Sequence, residues 1–199
     1  MPGHVFLEGE RVDLRVVEQD DPDRTVLGHV RNDPEFRRTL GFDAPWPESR
    51  VEEFVASTAT DDSSTNLLVC LDGDDAPGDG RRPDGDGEEN VEIAGAVNLF
   101  DVDRVAGTLS YWLFDEYRGE GYATEAVSLV VDHAFERLGL HRIEAEAFTE
   151  NEPSRRLLDR LGFVHEGTAR ECRFAGGEYR GRERYGLLED EWRDEEGTR

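Results

Sequence analysis

The sequence predicts an α/β chain built around a mixed sheet. Three observations predict it. Segments with strand and helix patterns alternate in the order strand, two helices, three strands, helix, strand, helix, strands. The longest helical segment follows a strand through a turn that carries two glycines, Gly119 and Gly121. A second helical segment, residues 151–161, is closed by Gly162 and leads into further strands.

Each element has its own signal. Residues 11–17 alternate polar and apolar side chains, the pattern of a strand with one buried face. Residues 20–32 open on Asp-Asp-Pro, a helix start. Residues 49–59 place Val51, Phe54, Val55 and Thr58 at helical spacing behind Pro47. Residues 66–71 form a short apolar strand. From 72 to 90 the chain is mostly Asp, Glu, Gly, Pro and Arg; this acidic insertion has almost nothing to bury and is expected to be a disordered, solvated loop. Strands return at 92–100 and 108–114. Residues 124–138 are a helix whose Ala126, Val127, Val130, Ala134 and Leu138 recur every three or four positions, ended by Gly139. Residues 142–149 alternate again and read as a strand. The 151–161 helix has Asn151 as its cap and Pro153 near its start. Residues 163–167, 172–174 and 184–188 are the last strand pieces, with Gly176, Gly177 and Gly181 in the connecting turns.

Composition bounds the function. The 199 residues fit a single domain over 1–193, with a short acidic tail at 194–199. Formal net charge is -24, and every one of the 23 cations is arginine. Such a charge repels phosphate backbones and anionic membranes, so neither nucleic acid nor membrane is expected as a partner. The acids are spread along the whole chain, which favours a halophilic, salt-adapted coat over a local patch that attracts cationic substrates. Cys70 and Cys172 are not in a paired motif, and the five histidines lack metal-ligand spacing. No metal is expected. With no apolar run near 20 residues and no leader pattern, a cytoplasmic protein is expected.

Two segments carry chemistry. In Arg118-Gly119-Glu120-Gly121-Tyr122-Ala123 the glycines let the backbone take positive φ and approach a ligand. The turn amides and those of the first helical turn have no intrahelical partner and point together at the positive end of the helix dipole. Arg118 adds a cation. The motif is an anion cradle; it lacks the Lys-Ser/Thr of a triphosphate loop and the third glycine of a dinucleotide fold. The second segment is Asn151-Glu152-Pro153-Ser154-Arg155-Arg156 through Leu161-Gly162-Phe163. By itself it is a capped amphipathic helix.

Together these segments resemble the GNAT superfamily of N-acetyltransferases. Arg118-x-x-Gly121-x-Ala123 is similar to that superfamily's pyrophosphate motif, and Asn151-x-x-Ser154 with Leu161-Gly162-Phe163 to its second cofactor motif. Arg11-Val12-Asp13-Leu14-Arg15, Tyr111-Trp112, Gly121 to Ala126, Glu166-Gly167 and the closing Tyr185-x-Leu187-Leu188-x-x-Glu191-Trp192 resemble the branch that acetylates the N-termini of ribosomal proteins (RimJ/RimL-like).

The resemblance implies a mostly antiparallel sheet with helices on both faces and a splayed strand pair near 108–114 and 142–149. It implies acetyl-CoA as co-substrate and an amine acceptor, either a peptide N-terminus or a small amine. The protein would be a monomer or homodimer. Backbone of Leu113 and Phe114 would bind the pantetheine arm. Amides of Gly119, Glu120, Gly121, Tyr122, Ala123 and Thr124, beside Arg118, would hold the pyrophosphate. Asn151 would meet the pantetheine, and Arg155 or Arg156 the adenosine phosphates. Many family members protonate the leaving thiolate with a tyrosine at the position of Leu158; here Ser154 is the expected acid. Glu171 is the candidate base, with Glu146 and a water chain as alternatives. Phe36, Phe42, Trp46 and Tyr179 fall in the segments that would build the acceptor pocket. The alternatives to a peptide N-terminal acetyltransferase are a small-amine acetyltransferase and a non-catalytic acyl-CoA-binding protein.

Overall fold

A computed structural model describes residues 2–19, 21–40, 44–58, 61, 63–72, 91–175 and 177–196. Eight strands form one sheet in the order β1-β2-β3-β4-β5-β6-β8-β7. They are β1 (Val5–Glu8), β2 (Asp13–Val16), β3 (Thr65–Asp72), β4 (Val91–Phe100), β5 (Ala106–Leu113), β6 (Arg142–Phe148), β7 (Val164–Ala175) and β8 (Glu178–Leu188). Every neighbouring pair is antiparallel except β5 and β6.

Burial explains the sheet. In β3 the run Leu67 to Leu71 is buried on both faces. Its neighbour β4 carries small buried residues, Ala94, Gly95 and Ala96. A bulge leaves Ala94 unopposed, because Val69 pairs with Gly95 while Cys70 pairs with Ile93.

One face carries α1 (Asp21–Asn32), α2 (Pro34–Leu40) and α3 (Glu48–Thr58). Leu27, Val51 and Val55 form the core of this layer. The opposite face carries α4 (Tyr122–Asp132), α5 (Glu152–Arg160) and α6 (Glu189–Glu196). Here Ala126, Val127, Val130, Val131 and Ala134 meet Leu109, Ile143, Ala145 and Leu187 in the main core. A fully buried valine contributes roughly 1.5–3 kcal/mol, more than the ~1 kcal/mol of a typical cap. Packing therefore holds α4, and its N-terminus can dispense with a side-chain cap. No described helix is long and apolar enough to cross a membrane.

The structure departs from the sequence reading at several places. The long helix does not run evenly to Leu138: after α4 the chain widens into a π turn over His133–Arg137, with the Leu138 amide bonded to the His133 carbonyl at 3.1 Å. That turn rotates the stripe, so Phe135 is buried and Leu138 is 42 % exposed. The last strand pieces are one continuous hairpin, β7–β8, interrupted only by two register shifts, and Gly181 lies within β8 rather than in a turn. β1, α2 and α6 have no counterpart in the sequence reading; α6 runs from Glu189 to Glu196. Of the acidic insertion, Asp72 ends β3, and residues 73–90 lie outside the described residues.

Candidate active site

β5 and β6 pair over only four rungs, from Ala106 with Arg142 to Leu109 with Ala145. Beyond them β5 continues against β4 as far as Leu113, and β6 continues against β8 as far as Phe148. The two strands separate, and the gap opens into a cleft of about 470 Å³. The lining brings the two motifs together: Leu113, Arg118, Gly119, Gly121, Ala123 and Thr124 from one, Asn151, Ser154 and Arg156 from the other. Tyr111, Tyr117, Phe36 and Arg160 are also on the wall.

The glycine turn is built as a cradle. Gly119 has φ of 88° and Gly121 φ of 93°, the left-handed region that side chains resist. A methyl group at Gly119 would meet nothing within 4 Å, so the turn faces open space. The Glu125 amide is the first to bond back into α4, reaching the Gly121 carbonyl at 3.1 Å. The amides of Tyr122, Ala123 and Thr124 therefore have no intrahelical acceptor and point out of the helix end. Gly121, the N-cap, supplies no side-chain oxygen to take them. Arg118 is fixed beside them by its ion pair with Asp115 and by donation from Nε to the Leu113 carbonyl at 3.1 Å. Open amides, a fixed cation and a concave turn fit a diphosphate.

Behind the turn lies a strap that the sequence did not reveal. Arg11 donates from Nη1 to the Glu120 carbonyl at 2.9 Å and stacks over the Tyr122 ring at 5.2 Å. Glu125 in turn accepts from the backbone amides of Glu10 and Arg11 at 2.7 and 2.8 Å. These contacts span more than 100 residues, so no local pattern announces them.

On the other wall, Asn151 caps α5 by accepting the Ser154 amide at 3.2 Å. Leu157 and Leu158 are buried, which fixes the helix's rotation and presents Ser154 to the cleft. The Ser154 hydroxyl lies 2.7 Å from the Tyr111 hydroxyl, and Tyr111 is also 3.2 Å from the Ser154 carbonyl. Burial pushes the Tyr111 phenol up to about 12. Tyr111 was legible in the sequence only as part of the family pattern; its alternation with Leu109 and Leu113 is the residue-level signal for this face. Arg155 and Arg156, adjacent on α5, diverge. Arg155 donates to the Thr149 carbonyl at 3.1 Å, while the exposed Arg156 stays on the cleft wall, ion-paired with Glu152.

Other expected residues lie elsewhere. The Phe114 amide is committed to the Ala94 carbonyl at 2.9 Å. Successive strand amides alternate in direction, so the Leu113 amide faces the gap. The Tyr122 ring is buried below the turn. Glu171 is exposed, has φ of 49° within a register shift of β7, and is not part of the cleft lining. Glu146 is paired with Arg182 at 2.7 Å and Arg184 at 3.3 Å. Tyr179 packs on Phe174 at the exposed tip of the hairpin, and Phe42 lies outside the described residues.

A second chamber, about 560 Å³, opens on the α1–α3 face. Its floor includes Asn66, Asn98 and Ser110, which lie side by side on β3, β4 and β5. Leu40 and Trp112 line both spaces. Arg31 lines this chamber and stacks on Trp46 and Phe54 at 4.4 and 4.9 Å; burial, then the nearby Arg50, pulls its pKa down to about 10.

Comparison with known proteins agrees with this geometry. The acetyltransferase (GNAT) domain family matches residues 11–164. An SPbeta prophage-derived N-acetyltransferase of Bacillus subtilis is 34 % identical over 189 residues, 94 % of this chain and 95 % of that protein. Two crystal structures share the fold at 22 % identity and a TM-score of 0.74. One is a spermidine N-acetyltransferase from Vibrio cholerae in complex with CoA and spermine, covering 92 % of this chain and 98 % of that one. The other is a ribosomal-protein-S5-alanine acetyltransferase from Vibrio fischeri, covering 93 % and 97 %. A cleft that joins an anion cradle to a capped helix across splayed strands, in a chain matched over most of its length, makes this protein a member of the GNAT family and an acetyl-CoA-dependent N-acetyltransferase.

Proposed function

We propose that the protein acetylates a protein or peptide N-terminal amine of the ribosomal-protein type, by direct attack within a ternary complex. The observation that carries this reading is the pair of positions on α5: Leu158 is buried where many family members place a tyrosine, and Ser154 lines the cleft in its stead.

The cradle amides of residues 119–124, with Arg118 and Arg156, bind the pyrophosphate and adenosine phosphates. Asn151, whose Oδ1 caps α5, offers its amide nitrogen to the pantetheine arm. Acetyl-CoA supplies the thioester that the amine attacks. The Leu113 amide, facing the gap, stabilises negative charge on the carbonyl oxygen. Ser154 donates its proton to the departing sulfur. An N-terminal amine has a pKa near 8 and is partly neutral near neutral pH, so water can take its proton. The acceptor enters from the α1–α3 face through the chamber that shares Trp112 with the cleft.

A second reading is a polyamine acceptor. It is favoured by the net charge of -24, which raises the local concentration of polycations, and by the fold shared with a spermidine acetyltransferase. CoA-thiol release in molar salt, measured over peptide N-termini and small amines, separates the two. Turnover highest for peptides supports the first reading and turnover highest for spermidine replaces it. Acetyl-CoA binding without thiol release for any amine would leave a non-catalytic acyl-CoA-binding protein.

A further inference from the structure

We propose that Tyr111 is a positioning residue for acyl transfer: its hydroxyl donates to Ser154 Oγ, which turns the serine proton toward the departing sulfur and makes it more acidic. The inference rests on the reading of Ser154 as the acid.

The placement of Tyr111 follows from the sheet. Leu109 is the last β5 residue paired with β6, so Tyr111, two residues on and facing the same way, stands in the open part of the gap. Its side chain lines the cleft beside Ser154.

Two hydroxyls 2.7 Å apart share one hydrogen bond, and its direction matters. If serine donates, its proton is directed back at the tyrosine and cannot reach the cleft. If tyrosine donates, the serine proton is free. The other acceptor within reach of Tyr111, the Ser154 carbonyl at 3.2 Å, is inside α5 and takes the amide four residues on. The hydroxyl at 2.7 Å has the spacing of a good O–H···O bond and is the better acceptor. Burial raises the phenol's pKa to about 12, so tyrosine keeps its proton and remains a donor at working pH. A hydrogen bond received by Oγ stabilises the charge that develops there as its proton leaves.

The atoms balance. The amine nitrogen bonds to the thioester carbon as the carbon–sulfur bond breaks. Sulfur keeps the electron pair of that bond and takes the Ser154 proton. The amine loses one proton to water, and water returns one to Ser154. Tyr111 keeps its own proton throughout.

The test is a double-mutant cycle on the full chain with Tyr111→Phe and Ser154→Ala. Phenylalanine keeps the ring that packs the gap. Tyr111→Phe is expected to lower kcat roughly tenfold, the size of one lost hydrogen bond, with KM for acetyl-CoA unchanged. In the Ser154→Ala background the same change is expected to do nothing. A second measurement separates chemistry from folding: with an acetyl aryl thioester, whose thiolate leaves without a proton, the ratio of wild-type to Tyr111→Phe rates should fall well below its value with acetyl-CoA, and an equal ratio for the two donors would overturn the role. Normal kcat in Tyr111→Phe with impaired Ser154→Ala would overturn the role of Tyr111 alone. So would losses that multiply in the double variant, which indicate packing. Normal turnover in Ser154→Ala removes both the acid and its partner.

Discussion

Arg11 and Glu125 are joined twice: Glu125 Oε1 accepts the Arg11 amide at 2.8 Å, and Oε2 accepts its guanidinium Nε at 3.1 Å. The Val12 amide reaches the same carboxylate at 3.3 Å. The other end of the Arg11 guanidinium holds the Glu120 carbonyl, inside the cradle. A segment from the start of the chain thus braces the turn from behind, leaving its amides free in front.

Removing the strap should therefore weaken acetyl-CoA binding more than chemistry. Arg11→Ala and Glu125→Gln are each expected to raise KM for acetyl-CoA roughly tenfold, the effect of losing one charge-assisted hydrogen bond, with a smaller change in kcat. Acid should act through the same group. Burial raises the Glu125 pKa, but the amides of Arg11, Val12 and Glu10, with the Arg11 side chain, outweigh it and hold it below its ordinary value. A depressed carboxyl pKa stabilises the fold fully above the unfolded-state value and loses that contribution as pH falls through the folded-state value. Melting temperatures from pH 7 to pH 3 should show the gap between wild type and Glu125→Gln closing on acidification. A constant gap would show that the strap does not depend on the charge.

The two glycines of the cradle should respond differently to alanine. Both have positive φ, so each change strains the backbone by about 1 kcal/mol or more. At Gly119 the methyl meets open space, and the loss should fall mainly on ligand affinity. At Gly121 it lies 3.0 Å from Arg11 Nη2, so the strap must also yield. Gly121→Ala is expected to melt lower than Gly119→Ala, while both bind CoA more weakly. Calorimetry of the two variants with and without CoA checks both parts.

Asn151→Ala should cost about 1 kcal/mol, the usual loss for a helix cap, and should lower kcat because the cap bond ends on the Ser154 amide. Asn151→Asp keeps the accepting oxygen and should restore stability. If it restores stability but not acetyl-CoA affinity, the Asn151 side-chain nitrogen is a ligand contact; full recovery of both would exclude that role.

Salt should stabilise the protein. The chain carries a net charge of -24, so carboxylate repulsion is unrelieved at low ionic strength. At 1 M salt the screening length falls to about 3 Å. The same salt weakens ion pairs such as Arg142 with Glu166, at 2.5 Å, but surface pairs contribute only about 0–1 kcal/mol each. Relief of repulsion outweighs that loss, and the melting temperature should rise steadily with potassium chloride. A maximum at low salt would refute the salt-adapted coat.

The parts legible in the sequence are those that local chemistry fixes. The buried stripe of α4, the Gly119–Gly121 turn and the Asn151 cap each follow from neighbours within a few residues. What stayed hidden depends on distant partners. α6 is acidic almost throughout and is held by the buried Trp192, whose indole donates to Asp132 at 2.6 Å. α2 buries little beyond Phe36, although Asp33 accepts the amides of Glu35 and Phe36 at its start. The β7–β8 hairpin is exposed along much of β7, so apolar alternation is absent and its pieces read as separate strands. The alignment of Tyr111 with Ser154 joins residues 43 apart and needs the splay to exist first.

The four rungs between β5 and β6 are also the only direct ladder joining the β1–β5 block to the β6–β8–β7 block among the described residues. The sheet is two panels joined by a short ladder, and the separated edges of both panels present backbone groups to the gap. On the proposed reading, a pantetheine arm laid there would supply the missing rungs. Donor binding then ties the two panels together, and stability rises with the logarithm of donor concentration. Hydrogen exchange should report this as slowing of amides at Tyr111 and Leu113 when CoA is added, with less change in the long-paired strands β3 and β4.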